Sequence, residues 1–369
     1  MGYKVPFVDF PKQYHMQEEE LLAAIKKVLS HGDLILREEV TQFEKNMANF
    51  TGTHYAVGVN SCTDAMRLSL LAAGIGQDDE VITVAHTFVA TVAVIIQCGA
   101  TPVLVDVGDD YNMNIDLIEE VITPRTKAIM PVHLNGRICD MEKLMKIASN
   151  HNLVVIEDAA QALGATFAGK EAGSFGVAGC FSFYPAKCLG AAGDAGILVT
   201  DSAEITDKIR LYRDHGRQNK DDIAGYGFNS RLDNLQAAIL NVRFKNLPQW
   251  IERRRELANI YHHGLADLTY VKLPPPPQAD GRYFDTYQNY VIRAQDRDKL
   301  AKHLLDSGIE ILISWPKPMQ HQKALNLSHF HLPVTEQLSR EVLSLPLIPE
   351  ISNEQVEFVI DSIRNFYAR

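Results

Sequence analysis

The stretch Leu153-Val154-Val155-Ile156-Glu157-Asp158-Ala159-Ala160-Gln161 sets a short apolar run directly against two acids. A run this short, with no polar face, suits a strand buried on both sides in a parallel sheet. Working outward, strand-like runs at 55–59, 80–84, 101–105, 126–132 and 153–156 alternate with helical patterns at 63–73, 87–98, 114–122 and 141–150. That alternation predicts βαβ units: an α/β fold whose mainly parallel sheet carries helices on both faces. Two further runs, 182–184 and 196–200, bring the expected sheet to seven strands.

After Asn229 the pattern changes. Leu232, Leu235, Ile239 and Val242 recur at helical spacing and predict a long helix running past Pro248 to about residue 262. Pro274-Pro275-Pro276-Pro277 is a stiff extended break. Beyond it, strands are expected at 287–293 and 309–315, and helices at 296–307 and 353–367. The chain therefore divides into a large α/β unit, residues 1–245, and a smaller α+β unit, residues 246–369. An N-terminal helix at 17–30 is a candidate to pack on the smaller unit.

At 369 residues the chain exceeds one ordinary core, in agreement with two units. Five scattered cysteines with no C-x-x-C pair point to free thiols in a reducing cytoplasm. No apolar run reaches a membrane span, and Met1–Pro6 carries no secretory signal pattern. The histidines show no H-E-x-x-H spacing, so no metal site is expected. A net charge of -10 disfavours nucleic acid as a partner, because no basic stripe faces phosphates. Arg210, Arg213, Arg217 and Lys220 form a local cationic cluster that serves either a small anion or a solvated helix face.

The chemistry is concentrated around Lys187. Phe181-Ser182-Phe183-Tyr184-Pro185-Ala186-Lys187 leads into a loop with Gly190, Gly193 and Gly196 at every third position. An amine beside such an aromatic run is partly desolvated, and its nucleophilic neutral form is favoured. Asp158 ends a buried strand, where ligands of open α/β sheets sit; it either holds a ring-nitrogen proton or caps the next helix. Asn60-Ser61-Cys62-Thr63 turns from a strand into a helix, offering free N–H groups to a phosphate or simple N-capping. Phe88, at another strand's carboxyl end, stacks on a flat ring or joins the core. Taken together, these signals converge on a planar aldehyde with a ring nitrogen and a phosphate, which is pyridoxal 5'-phosphate.

The chain resembles the DegT/DnrJ/EryC1/StrS sugar aminotransferases, which have the aspartate aminotransferase (type I) fold, over nearly its whole length. The resemblance rests on Val5-Pro6-Phe7-Val8-Asp9, Asn60-Ser61-Cys62-Thr63-Asp64-Ala65, Thr87-Phe88-Val89-Ala90-Thr91, Pro131-Val132-His133-Leu134, Glu157–Gln161 and Asn229-Ser230-Arg231-Leu232-Asp233. It implies that Lys187 forms the Schiff base and shuttles the proton, and that Asp158 pairs with the pyridinium nitrogen. Gln161 would lie near the ring hydroxyl and Phe88 would stack on the ring. The Cys62/Thr63 backbone and the Ser182 hydroxyl would hold the phosphate. Asn229 would reach the phosphate of a partner subunit, making a homodimer with shared sites.

Departures from the family pattern fall at Cys62 (often glycine), Asn135, Arg137 and the loop Ile313-Ser314-Trp315-Pro316-Lys317-Pro318. The last three are expected to face the substrate. Candidate substrate residues are Tyr184, His215, Arg217, Lys220, Arg231 and Trp315. The implied reaction moves an amino group from L-glutamate to a nucleotide-linked keto-deoxysugar, with dTDP the expected nucleotide and an amino sugar for a surface polysaccharide or glycoside the expected end. Tyr184-Pro185 and Gly193-Asp194-Ala195-Gly196 fit the branch that aminates C3, with C4 as the alternative. Lys187 argues against the dehydratase branch, which carries histidine there. A nicotinamide oxidoreductase fails because the spaced glycines precede a strand rather than open a helix. A non-catalytic, pyridoxal-phosphate-binding regulator is the remaining alternative; an appended DNA-binding segment would mark it, and neither end leaves room for one.

Overall fold

The computed structural model describes residues 2–277 and 281–368. Seven strands form the main sheet: β1 (Tyr55–Val59), β2 (Glu80–Val84), β3 (Thr101–Val105), β4 (Thr126–Ile129), β5 (Val154–Asp158), β6 (Ala178–Ser182) and β7 (Gly196–Thr200). Their order is β1-β7-β6-β5-β4-β2-β3. The β3-β2-β4-β5-β6 neighbours pair parallel, whereas β7 runs antiparallel to both β1 and β6. Successive residues alternate between two cores. Ile82, Ile129, Val155, Phe181 and Ile197 face the core shared with helices Glu38–Thr51, Met141–Asn150 and Asn234–Phe244. Val81, Ala128, Ile156, Cys180 and Leu198 face the core shared with Cys62–Ala72, Val89–Gln97 and Ala203–Arg213. Burying each large aliphatic side chain is worth about 2 kcal/mol, so runs without a polar position settle at the sheet centre.

A second core gathers Leu257, Tyr261, Ile292, Leu300, Leu343 and Val356. It lies on the antiparallel sheet β8 (Val271–Lys272), β9 (Tyr290–Ala294) and β10 (Val342–Leu345), beside helices Leu247–Leu265, Arg297–Asp306 and Asn353–Tyr367. A small third sheet pairs Tyr283–Phe284 with Thr166–Phe167 and stitches the two halves together.

Several expected elements shift. The strand expected at 182–184 is β6, four residues earlier, in Ala178-Gly179-Cys180-Phe181-Ser182, whose small residues carry little strand signal. The long helix expected from 232 to 262 is two, Asn234–Phe244 and Leu247–Leu265, with Pro248 in the first turn of the second, where its missing N–H costs nothing. The helix expected at 114–122 is a 3₁₀ turn, Ile115–Leu117, and one short α turn, Ile118–Val121. The strand expected at 309–315 is absent. That segment makes only single bridges, Ile309 to Val5 and Leu312 to Ser344, and Val342–Leu345 supplies the third strand instead. The N-terminal helix, Glu18–His31, buries Leu21 against Ile239 and Val242 of the large unit rather than against the smaller one. It is the extended chain before it that joins the smaller unit, where Lys4 and Val5 donate to the carbonyl of Gly308. Among the described residues no helix is long and apolar enough to cross a membrane.

Candidate active site

At the carboxyl ends of β5 and β6 a cavity of about 570 Å³ opens, and Lys187 and Asp158 both line it. The lysine loop is folded back on itself. Phe183 N–H donates to Ala195 O at 2.9 Å, Lys187 N–H to Tyr184 O at 2.8 Å, and Ala191 N–H to Phe183 O at 2.8 Å. Gly190 is required there, because a Cβ would meet Pro185 O at 2.2 Å. Two side chains from the helix Asn234–Phe244 hold the far limb: Gln236 Oε1 accepts from Ala192 N–H at 2.9 Å, and Arg243 donates to Gly190 O at 2.6 Å. Burial pushes the Lys187 amine below its ordinary pKa, against the pull of nearby Cys62, Asp158 and Cys188. A neutral amine attacks carbonyl carbon; an ammonium does not.

Asp158 is 4% exposed. Its Oδ2 accepts from Thr91 Oγ1 at 2.7 Å and its Oδ1 from Ala160 N–H at 3.2 Å. Thr87 Oγ1 lies 2.8 Å from Thr91 Oγ1, extending the chain by one link. Burial pushes the Asp158 carboxyl up, and the Thr91 and Ala160 hydrogen bonds and the charge of Lys187 oppose that rise. A buried carboxylate held this way suits a cationic N–H donor. Beneath it, Glu157 accepts from Gly173, Phe175 and Gly176 N–H groups and from His133 Nε2 at 2.9 Å. His133 Nδ1 accepts from Cys139 N–H at 3.2 Å, which assigns its proton to Nε2.

Across the cavity Ser61 caps the helix Cys62–Ala72 by accepting from Asp64 N–H at 3.2 Å. The N–H groups of Cys62 and Thr63 take no acceptor from the described protein, leaving two donors on a helix N-terminus for an anion. Gly196 makes the approach possible, since a Cβ would lie 2.2 Å from the Ser61 carbonyl carbon and 2.4 Å from Cys62 N. Burial pushes the Cys62 thiol well above its ordinary value, so it is no rival nucleophile. Phe88 caps the next helix as its first flanking residue and leaves 62% of its surface exposed on the cavity wall.

The structure thus brings Cys62, Thr63, Phe88, Asp158, Gln161, Ser182, Tyr184, Lys187 and Trp315 to one cavity. Gln161 Oε1 accepts from Asn135 N–H at 2.8 Å, which turns the other end of its amide toward the cavity. Of the departures expected to face substrate, Trp315 lines this cavity, whereas Asn135 and Arg137 do not. Arg137 instead pairs with Asp285 at 2.7 Å and lies 3.6 Å from the Tyr283 ring centroid. Asn229, His215, Arg217, Lys220 and Arg231 do not line the cavity of their own chain. They belong to a loop closed by the Asp214–Asn229 bridge, with Arg217 and Lys220 exposed on it and Arg231 paired to Asp214 at 2.8 Å. Arg213, from the candidate cationic cluster, is buried against Glu44 at 2.6 Å.

Thr91 and the backbone clamps are not among the sequence candidates, and Asp194, which the sequence offers only as a clue to regiochemistry, also lines the cavity. Thr91 was legible, lying one helical turn after Thr87 on the same face. Gln236, Arg243 and Gln288 carry no such signal, because they reach the lysine loop from distant elements.

A buried lysine, a buried carboxylate and a free helix N-terminus line one cavity at the edge of this mainly parallel sheet, and the fold is that of the pyridoxal-phosphate-dependent aminotransferases of fold type I. The DegT/DnrJ/EryC1/StrS aminotransferase family model matches residues 15–364, and the chain belongs to that family. It is 42% identical over 362 residues (98% of this chain, 97% of the relative) to the UDP-N-acetyl-3-dehydro-alpha-D-glucosamine 3-aminotransferase of Acidithiobacillus ferrooxidans. It is 40% identical over 368 residues (98% of each) to a pleiotropic regulatory protein of Geobacillus stearothermophilus. The crystal structure of S. venezuelae DesV in complex with a ketimine intermediate superposes with a TM-score of 0.96 at 39% identity, covering 100% of both chains.

Proposed function

We propose that this chain transfers an amino group from L-glutamate to C3 of a nucleotide-linked keto-deoxysugar, dTDP being the favoured nucleotide. The observation that carries the reading is the shared cavity of Lys187 and Asp158, faced by the unpaired Cys62 and Thr63 N–H groups. The donor set fits pyridoxal phosphate: an amine for the aldehyde, a buried carboxylate for the ring nitrogen, helix amides and the Ser182 hydroxyl for the phosphate, and the open Phe88 face for the ring. When bound, that group supplies the aldehyde and the electron sink that amino-group transfer needs. Lys187 then holds and moves the proton at the reacting carbon, and Asp158 keeps the ring nitrogen protonated. The Thr91 hydrogen bond holds Asp158 in place and opposes the rise that burial imposes on its carboxyl. Gln161, which lines the cavity, would lie near the ring hydroxyl. Tyr184 and Trp315 form the apolar wall against which a sugar ring packs.

Support for C3 comes from Tyr184-Pro185 and Gly193-Asp194 beside the lysine, and from the name of the Acidithiobacillus relative, a 3-aminotransferase of a UDP-linked 3-dehydro sugar. The regulatory name of the Geobacillus relative favours a second reading, a non-catalytic cofactor-binding regulator. The retained lysine–carboxylate pair weighs against it, since regulation alone needs no reactive amine. A panel of dTDP-, UDP- and GDP-linked 3-keto and 4-keto sugars with glutamate is expected to give a 3-amino product by NMR, fastest with dTDP. A 4-amino product would overturn the regiochemistry, and no turnover on any sugar would favour the regulator.

The position of Asn229 outside its own cavity supports a homodimer in which it reaches the partner's phosphate site. His215, Arg217, Lys220 and Arg231 travel with it as substrate residues offered across the interface. Mixing Lys187→Ala and Asn229→Ala subunits is expected to restore activity above the sum of the two, because one site per mixed dimer regains both residues. No recovery in dimers shown to be mixed would sink the shared site.

A further inference from the structure

Gln288 does not line the cavity and carries no sequence signal, yet it bonds the chain on both sides of Lys187. Its Oε1 accepts from Cys188 N–H at 2.8 Å, and its Nε2 donates to Ala186 O at 3.1 Å. The side chain is 9% exposed, so neither bond is exchanged freely for water. Its amide orientation is fixed by this pairing, since the opposite one would set oxygen against carbonyl.

The backbone that aims Gln288 is itself braced. Tyr287 sits at φ +50°, a left-handed conformation that costs a bulky residue on the order of 1 kcal/mol or more. Arg254, 3% exposed, donates to Tyr287 O at 3.2 Å, Gln288 O at 3.3 Å and Leu347 O at 2.7 Å. Thr286 N–H donates to Gly136 O at 2.9 Å, tying the segment to the turn beyond β4. Strain at Tyr287 thus persists inside a network whose outcome is the direction of the Gln288 amide.

We infer that Gln288 is a positioning residue for Lys187, a clamp from the smaller unit that keeps the lysine backbone still while its amine changes partners. The inference rests on the proposed role of Lys187. A loop lysine on a free backbone would sample many placements of its amine. Fixing the peptides before and after it leaves only the side-chain torsions to search, which shortens the path to the reactive placement.

The test uses the holoenzymes of wild type, Gln288→Met and Gln288→Glu. The first variant keeps size and removes both bonds; the second keeps the acceptor for Cys188 and turns an oxygen toward Ala186 O. Both are expected to fold with a cooperative but lowered melting transition, to retain the near-visible cofactor band, to lose about tenfold in kcat, and to leave KM for glutamate within about twofold. The pH midpoint of the band is also expected to move, which a purely structural role would not cause. Wild-type kcat and midpoint in either folded variant would overturn the inference. If neither variant folds, amide exchange at Cys188 in wild type decides: protection supports the clamp, and exchange at the rate of an open loop overturns it. A wild type with no near-visible band would instead sink the cofactor reading itself, before any variant is compared.

Discussion

Lys187→Ala is expected to abolish the near-visible absorbance of the purified protein and to lower turnover by about 10⁴-fold or more, because no other amine of the chain's own cavity wall can attack a carbonyl. The chain's own side of the site offers no substitute: Cys62 is held as a thiol by burial, and among the described residues of the same chain no second lysine lines the cavity. An unchanged spectrum would remove the central assignment. The apoprotein carries an independent signature. The lysine pKa is lowered in the folded state, so the unfolded chain binds its proton more tightly. Stability therefore rises with pH from the depressed folded value up to the ordinary 10.5. Lys187→Ala is expected to flatten that rise in melting temperature without weakening the apoprotein at neutral pH.

Asp158→Asn is expected to keep the absorbance but to cost about 10³-fold in kcat, the scale of removing one partner from a buried charge pair. Size is conserved, and Thr91 Oγ1 can still donate to an amide oxygen in place of Oδ2. What disappears is the negative charge that keeps a ring nitrogen protonated. The loss should fall on kcat with glutamate rather than on sugar binding. A variant within tenfold of wild type would show that Asp158 caps the turn at Ala160 and does no more.

Much of this site is written locally in the chain. Asp158, the Cys62 turn and Phe88 each end or follow a strand whose apolar run is plain, so their place at the carboxyl edge of the sheet follows from the pattern alone. β6 falls outside the expected range because Ala178, Gly179 and Cys180 give no β-branched signal. Gln288, Gln236 and Arg243 were invisible for a different reason. Their partners are backbone atoms far away in sequence, and a side chain bonding a distant peptide leaves no mark on its neighbours. Arg137 misled in the opposite direction: a motif position suggested the substrate, whereas Asp285 and the Tyr283 ring, both from the smaller unit, capture it.

The single bridge between Val5 and Ile309 reaches further than its size suggests. Phe7 N–H also donates to Glu310 Oε2 at 2.8 Å, and Leu312 is tied to Ser344 just before the chain arrives at Trp315 on the cavity wall. Residues that precede the first helix thereby splint the approach to a wall three hundred positions away. A proteolytic nick that frees Lys4–Phe7 would loosen Trp315 while every group around Lys187 stayed in place, so sugar affinity would fade before the cofactor's colour did.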